Sequence, residues 1–242
     1  MGAEGERLDL TVLIPVCDEV GNVEPLLEEL VPVLDGLSKS YEVLFVDDGS
    51  TDGTYPRLCE LQSRWPQVRL IKFATNYGKT AALVAGWNKA RGDVIVIMDG
   101  DLQNDPRDIP KLLEQIGPYD LVCGYRINRR DSWFRRLQSS IANRVRNCVI
   151  QDGIRDSACA FQALRQSALS GQKFYGGMHR FLPALFQLEG YEVGQIPVGH
   201  RPRLHGRGKY NLRNRIIRTF DDLMAVRWIR SRKIQYRIEE ER

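Results

Sequence analysis

Two aspartates and an amide stand at the exit of an apolar run. In "VIVIMDGDLQNDP" (94–106), Asp99 and Asp101 flank one glycine, and Gln103 follows at the same spacing. Carboxylate and carboxamide oxygens are hard donors, and with no His or Cys beside them they favour Mg²⁺ or Mn²⁺ over zinc. Similar polar groups follow earlier apolar runs: Pro15, Cys17, Asp18 and Glu19 after "LTVLIPV", and Asp47 to Asp52, "DDGSTD", within and after "YEVLFVD". Aspartates so placed can accept hydrogen bonds from a base N–H or ribose hydroxyls and can hold a divalent ion that bridges a diphosphate. Each motif alone is as easily structural; "DDGSTD" also reads as a turn in which Asp52 caps the next helix. Their recurrence at successive strand ends is what makes them specific.

Other phosphate chemistries are poorly served. No G-x-G-x-x-G follows the first strand, where "PVCDEVGN" stands instead. Lys79 in "NYGKTAAL" follows a single glycine, so no Walker A loop is present. What remains is a nucleotide site built on acidic side chains.

The elements that must position these residues alternate. Apolar runs at 10–16, 41–47, 68–73, 93–99 and 120–125 read as strands covered on both faces. Helical patterns lie between them at roughly 22–36, 53–65, 78–91 and 107–116, with Asn22 and Asp52 as caps and Pro25 and Pro56 near helix starts. Such alternation predicts an α/β fold with a mostly parallel sheet flanked by helices, whose ligands bind beyond the carboxyl ends of the strands. The second half is less regular. Phe134, Leu137, Ile141, Val145 and Val149 form a stripe in 132–150, with the arginines, Arg129, Arg130, Arg144 and Arg146 among them, expected mostly on solvated faces. Residues 191–198 read as a strand, and 211–236 as a basic amphipathic helix or helix pair.

The net charge of +4 hides an asymmetry. Residues 1–125 hold 11 Lys and Arg against 21 Asp and Glu, whereas 126–242 hold 24 against 10. An acidic half and a basic half imply different partners, the basic one suiting phosphorylated substrates or an anionic membrane. The basic half carries no recognisable nucleic-acid motif, so nucleic acid is not an expected partner. Five scattered cysteines without a C-x-x-C pair suggest reduced, mostly buried thiols. No run reaches the roughly 18 apolar residues of a membrane span, and the acidic start "MGAEGERLDL" is no secretory signal.

At this point "LIPVCDE", "VDDGSTDGT", "NYGKTAAL" and "DGDLQNDP" closely resemble the nucleotide-sugar half of family 2 glycosyltransferases with the GT-A, Rossmann-like fold. "GYRINRRDSWFRRLQSSIAN", "MHRFLPAL" and "HRPRLHGRGKYNLRNR" resemble the polyprenyl-phosphate sugar transferases, and the resemblance runs from about 10 to 230. It implies a catalytic domain over 8–210, with a donor half to 125 and an acceptor half from 126, and a basic annex over 211–242. It implies that Pro15, Cys17 and Glu19 line base and ribose, that Asp47 and Asp48 contact them from the second strand, and that Lys79 joins the nucleotide-binding set. Asp99 would sit near donor sugar and diphosphate, with Asp101 and Gln103 holding Mg²⁺ or Mn²⁺. Arg126 and Arg135 would face the diphosphate or the acceptor phosphate, Ser139 would join them, and Arg203 and Lys209 would lie on a closing loop. Three departures stand out: Cys17 replaces a usual aromatic, Gly208 a usual Ser, and the sequence ends at "QYRIEEER" where many relatives continue into transmembrane helices. "NYGKTAAL" is closer to the bacterial branch, in which UDP-sugars are common.

The resemblance thus implies inverting, metal-dependent transfer from a nucleotide-sugar, a UDP-sugar by preference, to a polyprenyl phosphate. A peripheral position at the cytoplasmic face of a membrane follows, compatible with homo-oligomers or a membrane partner subunit. A hydroxyl acceptor would need a carboxylate base. The family's usual Glu-Asp pair is absent from 126–242, and Asp156 is the one candidate. A non-catalytic nucleotide-sugar binding protein is the third reading, against which the intact Asp-Gly-Asp and Gln103 count. His179 is expected to be a structural hydrogen-bonding residue. Trp87, Trp133 and Trp228 are expected in core or rim, with Trp133 and Trp228 also able to dip into a membrane surface.

Overall fold

A computed structural model of the chain describes residues 7–127, 143–170, 173–202, 212–234 and 240. Its elements are β1 (Leu8–Val16), α1 (Val23–Asp35), β2 (Tyr41–Asp47), α2 (Thr54–Arg64), β3 (Val68–Lys72), α3 (Lys79–Lys89), β4 (Gly92–Ile97), α4 (Ile109–Glu114) and β5 (Leu121–Arg126). After these come α5 (143–150), β6 (Gln162–Arg165), α6 (Leu182–Glu189), β7 (Val193–Val198) and α7 (Leu212–Ser231). Among the described residues seven strands form one sheet in the order β3-β2-β1-β4-β6-β5-β7. Only β6 runs against its neighbours, pairing antiparallel with β4 and β5.

The strands are continuous in Val, Ile and Leu because both sheet faces are covered. One face sends Val12, Ile14 and Phe45 into a core shared with Leu26, Leu27 and Leu30 of α1 and Leu58 of α2. The other sends Leu13, Leu44 and Ile95 against Leu83 and Trp87 of α3 and Phe186 of α6. Helices therefore sandwich the sheet, and the loops at its edge carry the polar side chains.

Several expectations need correcting. Strand β6 and helix α6 were not anticipated: "QALR" is too short to show a period, and five of the eight residues of α6 are buried, so no polar face marks it. The apolar stripe over 132–150 holds only in part where it is described: Val149 packs against the core around Ile150, but Val145 is exposed and Arg146, expected on a solvated face, is buried. Arg146 turns inward because its guanidinium pairs with Asp152 and donates to the Ile154 carbonyl at 2.7 Å. Thiols are less buried than expected: Cys123 and Cys159 are buried, but Cys59 and Cys148 are exposed. Asn22 begins α1 without a side-chain cap bond. Asp52 is not the cap of α2, which is Gly53; one residue earlier, Asp52 accepts from the Thr54 N–H at 2.9 Å and braces the turn into the helix. Helix α7 is a single helix whose Leu223 and Val226 pack with Met178, Phe181, Leu185 and Ile150. No helix among the described residues is long and apolar enough to cross a membrane.

Candidate active site

The polar ends of β1, β2 and β4 meet at one sheet edge because these strands are neighbours and parallel. Pro15 lies opposite Val46, and Val16 opposite Asp47. Loops hold the edge together. The Asp18 N–H donates to Ser50 Oγ at 2.9 Å, the Thr51 N–H to Asp18 Oδ1 at 2.6 Å, and the Glu19 N–H to Thr54 Oγ1 at 2.8 Å. Asp18 takes a left-handed φ of 52° to make this turn. Gly49 is required here: a Cβ would lie 2.5 Å from the Thr75 carbonyl carbon, so only glycine lets the β2 and β3 exit loops touch.

The two aspartates at the end of β2 differ. Asp48 is spent on the protein, its Oδ1 accepting from the Tyr77 N–H at 2.7 Å and its Oδ2 from the Gly78 N–H at 2.9 Å. Burial pushes its carboxyl above the usual range, against the pull of those two amides. Asp48 therefore shapes the loop before α3. Asp47 is fully buried; Oδ1 accepts from Ser50, while Oδ2 has no protein partner. A buried acceptor left without a donor costs roughly 1–3 kcal/mol, which a ligand N–H would relieve. Cys17 is half-buried, its sulfur 3.3 Å from Asn76 Nδ2, which also donates to the Asp48 carbonyl at 3.1 Å.

Lys79, the first residue of α3, pairs with Asp99 at the end of β4, placing one cation against the acidic edge. The Asp99 N–H donates to Asn104 Oδ1 at 3.2 Å, and the Gln103 N–H to Asp101 Oδ1 at 3.2 Å. Between Asp101 and Gln103, Leu102 takes a φ of 62° while its side chain is buried in the core. A left-handed leucine costs on the order of 1–3 kcal/mol and persists only where its surroundings over-determine it. The turn thus bends the chain sharply between the two residues expected to hold a cation. Among the described residues no three His, Cys, Asp or Glu side chains gather as a metal cage. Asp101 and Gln103 fit the other kind of site, in which one carboxylate and one amide are completed by phosphates and water.

Beside Lys79, the Thr80 hydroxyl accepts from the Gly177 N–H at 3.0 Å and lies 2.7 Å from His179 Nδ1. Burial, then the charges of Lys79 and Arg180, lower His179 to about 3. It is therefore neutral near pH 7 and bonded into the fold, in keeping with its structural reading.

Arg126, at the end of β5, does not stand open to an anion. Its Nε and Nη2 donate to Asp156 Oδ2 and Oδ1 at 2.7 and 2.9 Å, a bidentate pair with both side chains largely buried. Arg135, Ser139, Arg203 and Lys209 lie outside the described residues. Sequence reasoning did not single out the side chains of Asn76, Thr80 or Asn104, nor Arg201 and His200 beside Gln103. All five stand inside the quoted motifs, His200 and Arg201 at the start of "HRPRLHGRGKYNLRNR", so position within a motif was the available signal.

Comparison with known proteins fits this geometry. The chain is 35% identical over 227 residues to a dodecaprenyl-phosphate galacturonate synthase of Rhizobium johnstonii, covering 91% of this chain and 67% of that protein. It is 34% identical to an undecaprenyl-phosphate 4-deoxy-4-formamido-L-arabinose transferase of Edwardsiella ictaluri, covering 88% of this chain and 66% of that protein. The chain therefore spans about two thirds of the length of these relatives. Among solved structures, glucosyl-3-phosphoglycerate synthase of Mycobacterium tuberculosis, in complex with Mn²⁺, UDP-glucose and phosphoglyceric acid, superposes with a TM-score of 0.72. At 18% identity, covering 91% of this chain and 80% of that one, it shares the fold. The model of glycosyl transferase family 2 matches residues 11–171, which hold most of β1, all of β2 to β6 and the whole acidic edge, and the chain belongs to that family.

Proposed function

We propose that the chain is an inverting, metal-dependent glycosyltransferase that moves a sugar from a nucleotide-sugar, a UDP-sugar by preference, to a polyprenyl phosphate. The observation that carries the acceptor assignment is the Arg126–Asp156 pair. A hydroxyl acceptor needs a base to take its proton. Asp156, the one carboxylate proposed for that task, has both oxygens engaged by Arg126. A lipid monophosphate needs no base, because its second pKa of about 6 leaves it largely dianionic near neutrality. Relatives named for polyprenyl-phosphate acceptors support the same reading.

In this reading the chain's own groups divide the work. Asp47 Oδ2 accepts from the nucleobase or ribose, and Asp48 holds the loop before α3 beside it. Asp101 and Gln103 would hold Mg²⁺ or Mn²⁺, which when bound screens the charge that develops on the departing diphosphate. Lys79 adds positive charge beside Asp99 at the donor. The second half positions the anionic acceptor through its cationic surplus, while the Arg126–Asp156 pair braces the exit of β5. We extend the catalytic domain over 8–210, and the shared core of α6 and α7 supports treating 211–242 as continuous with it.

A membrane face is part of the proposal. Phe220, Trp228 and Ile234 are exposed on or just beyond α7, with Arg227, Arg230, Arg232 and Lys233 exposed among them. Exposed aromatic and basic side chains suit an anionic interface at the cytoplasmic side. The test is transfer of radiolabelled sugar from a panel of UDP- and GDP-sugars into polyprenyl phosphate, with Mg²⁺, Mn²⁺ or chelator. Label should enter the lipid phase from a UDP-sugar and only with metal; donor hydrolysis without lipid product would overturn the acceptor assignment.

A further inference from the structure

The segment leaving β7 is fastened to the turn that carries Asp101 and Gln103. The Gly199 N–H donates to Asp108 Oδ2 at 2.7 Å, and the Arg201 N–H to the Gln103 carbonyl at 3.0 Å. In return, Gln103 Nε2 donates to the Arg201 carbonyl at 3.3 Å, with His200 Nε2 3.5 Å from the same nitrogen. The Arg201 guanidinium then reaches two other elements, Glu29 of α1 at 2.5 Å and Asp105 beyond the turn at 2.8 Å. Burial opposes the charge on Arg201, but those two carboxylates hold its proton more tightly than usual.

These contacts decide which way the Gln103 amide faces. A carbonyl can only accept, so the Arg201 oxygen selects the NH₂ end of the side chain. The Oε1 end is then turned away from Arg201 and left for another partner. A glutamate at this position would set an anionic oxygen against the carbonyl, which gives a reason for glutamine in a metal-binding role.

We infer that Arg201 is a positioning residue for the metal site: by tying the β7 exit to α1 and to Asp105, it fixes the carbonyl that orients Gln103 Oε1 toward the cation. The inference rests on the proposal that Gln103 is a metal ligand. Outer contacts of this kind typically change metal affinity by about 10- to 100-fold. The strained φ of Leu102 inside the same turn shows a backbone that its surroundings must hold in place.

The experiment is Mn²⁺ binding by the whole chain in the presence of UDP, read as free Mn²⁺ by electron paramagnetic resonance, with thermal unfolding measured on the same samples. Arg201→Met should raise the Mn²⁺ Kd about 10-fold, with the unfolding midpoint unchanged. Arg201→Lys, which keeps one of the two ion pairs, should fall between. Arg107→Met removes a neighbouring exposed charge that pairs with Asp105 but has no bond to Gln103, and should bind as wild type. Wild-type affinity in Arg201→Met beside a weakened Gln103→Ala would overturn the positioning role alone. Equal weakening in Arg107→Met would also overturn it, reducing the effect to local charge. Wild-type affinity in Gln103→Ala would overturn the ligand assignment and this inference with it. Should Arg201→Met unfold early, Glu29→Gln removes one arm of the clamp from a different element and should still raise the Kd; an unchanged Kd there overturns the inference.

Discussion

The acidic and basic halves solve the same problem with opposite charges. At the edge of β1, β2 and β4, Asp18, Asp48 and Asp52 accept backbone N–H groups and brace the loops, whereas Asp47 keeps one buried oxygen without a protein partner. In the second half, Arg146 is buried against Asp152 and Arg126 against Asp156. Charge surplus in either half therefore overstates the number of groups that face a substrate. A loop that must hold an exact shape at a polar edge uses carboxylates to satisfy its amides, and the second half pairs its buried guanidiniums with carboxylates, Arg146 also donating to the Ile154 carbonyl.

Replacing a charge from each class separates the two roles. Asp101→Ala should lower sugar transfer by about 100- to 1,000-fold with unfolding unchanged, as a group that acts on the reaction. Arg146→Met should do the reverse. It leaves Asp152 buried and unpaired, costing about 3–5 kcal/mol of stability, measured by chemical denaturation. Asp48→Asn stands between: an NH₂ facing the Tyr77 and Gly78 amides should cost about 1–3 kcal/mol and weaken UDP binding through the loop, read by calorimetry. A smaller effect is expected of His179. The folded chain keeps it neutral to about pH 3, while the unfolded chain protonates it near 6.5. Its share of stability is full above about pH 6.5 and declines as pH falls toward 3. His179→Gln should flatten that part of the unfolding profile. The smallest effect should come from Trp228→Ala, which should reduce flotation with anionic liposomes and leave transfer to detergent-dispersed lipid unchanged.

The donor half was legible because its strands are long, apolar and capped by motifs. Strands β1, β2 and β4 fall within two residues of their expected limits, and the residues expected at their ends do share one edge. What the sequence does not display is the direction of a side chain. Asp47 and Asp48 are adjacent and alike, yet strand alternation and the Tyr77–Gly78 amides give them different tasks. Arg146 read as a solvated residue because helical period shows which face is apolar and not which polar group finds a buried partner. Strand β6 was invisible for a related reason, since four residues carry no period of their own. Arg201 and Gln103 stand 98 residues apart, and only the closure of β7 onto the far side of the sheet brings them together.

The central claim is that the acceptor is an anion needing no base. The most direct measurement compares transfer from one labelled UDP-sugar to polyprenyl phosphate and to the corresponding dephosphorylated polyprenol, under identical metal and detergent. The account predicts labelled product from the phosphate alone, with Asp156→Asn impaired in stability before chemistry. Labelled product from the polyprenol at a comparable rate, abolished by Asp156→Asn, would contradict it.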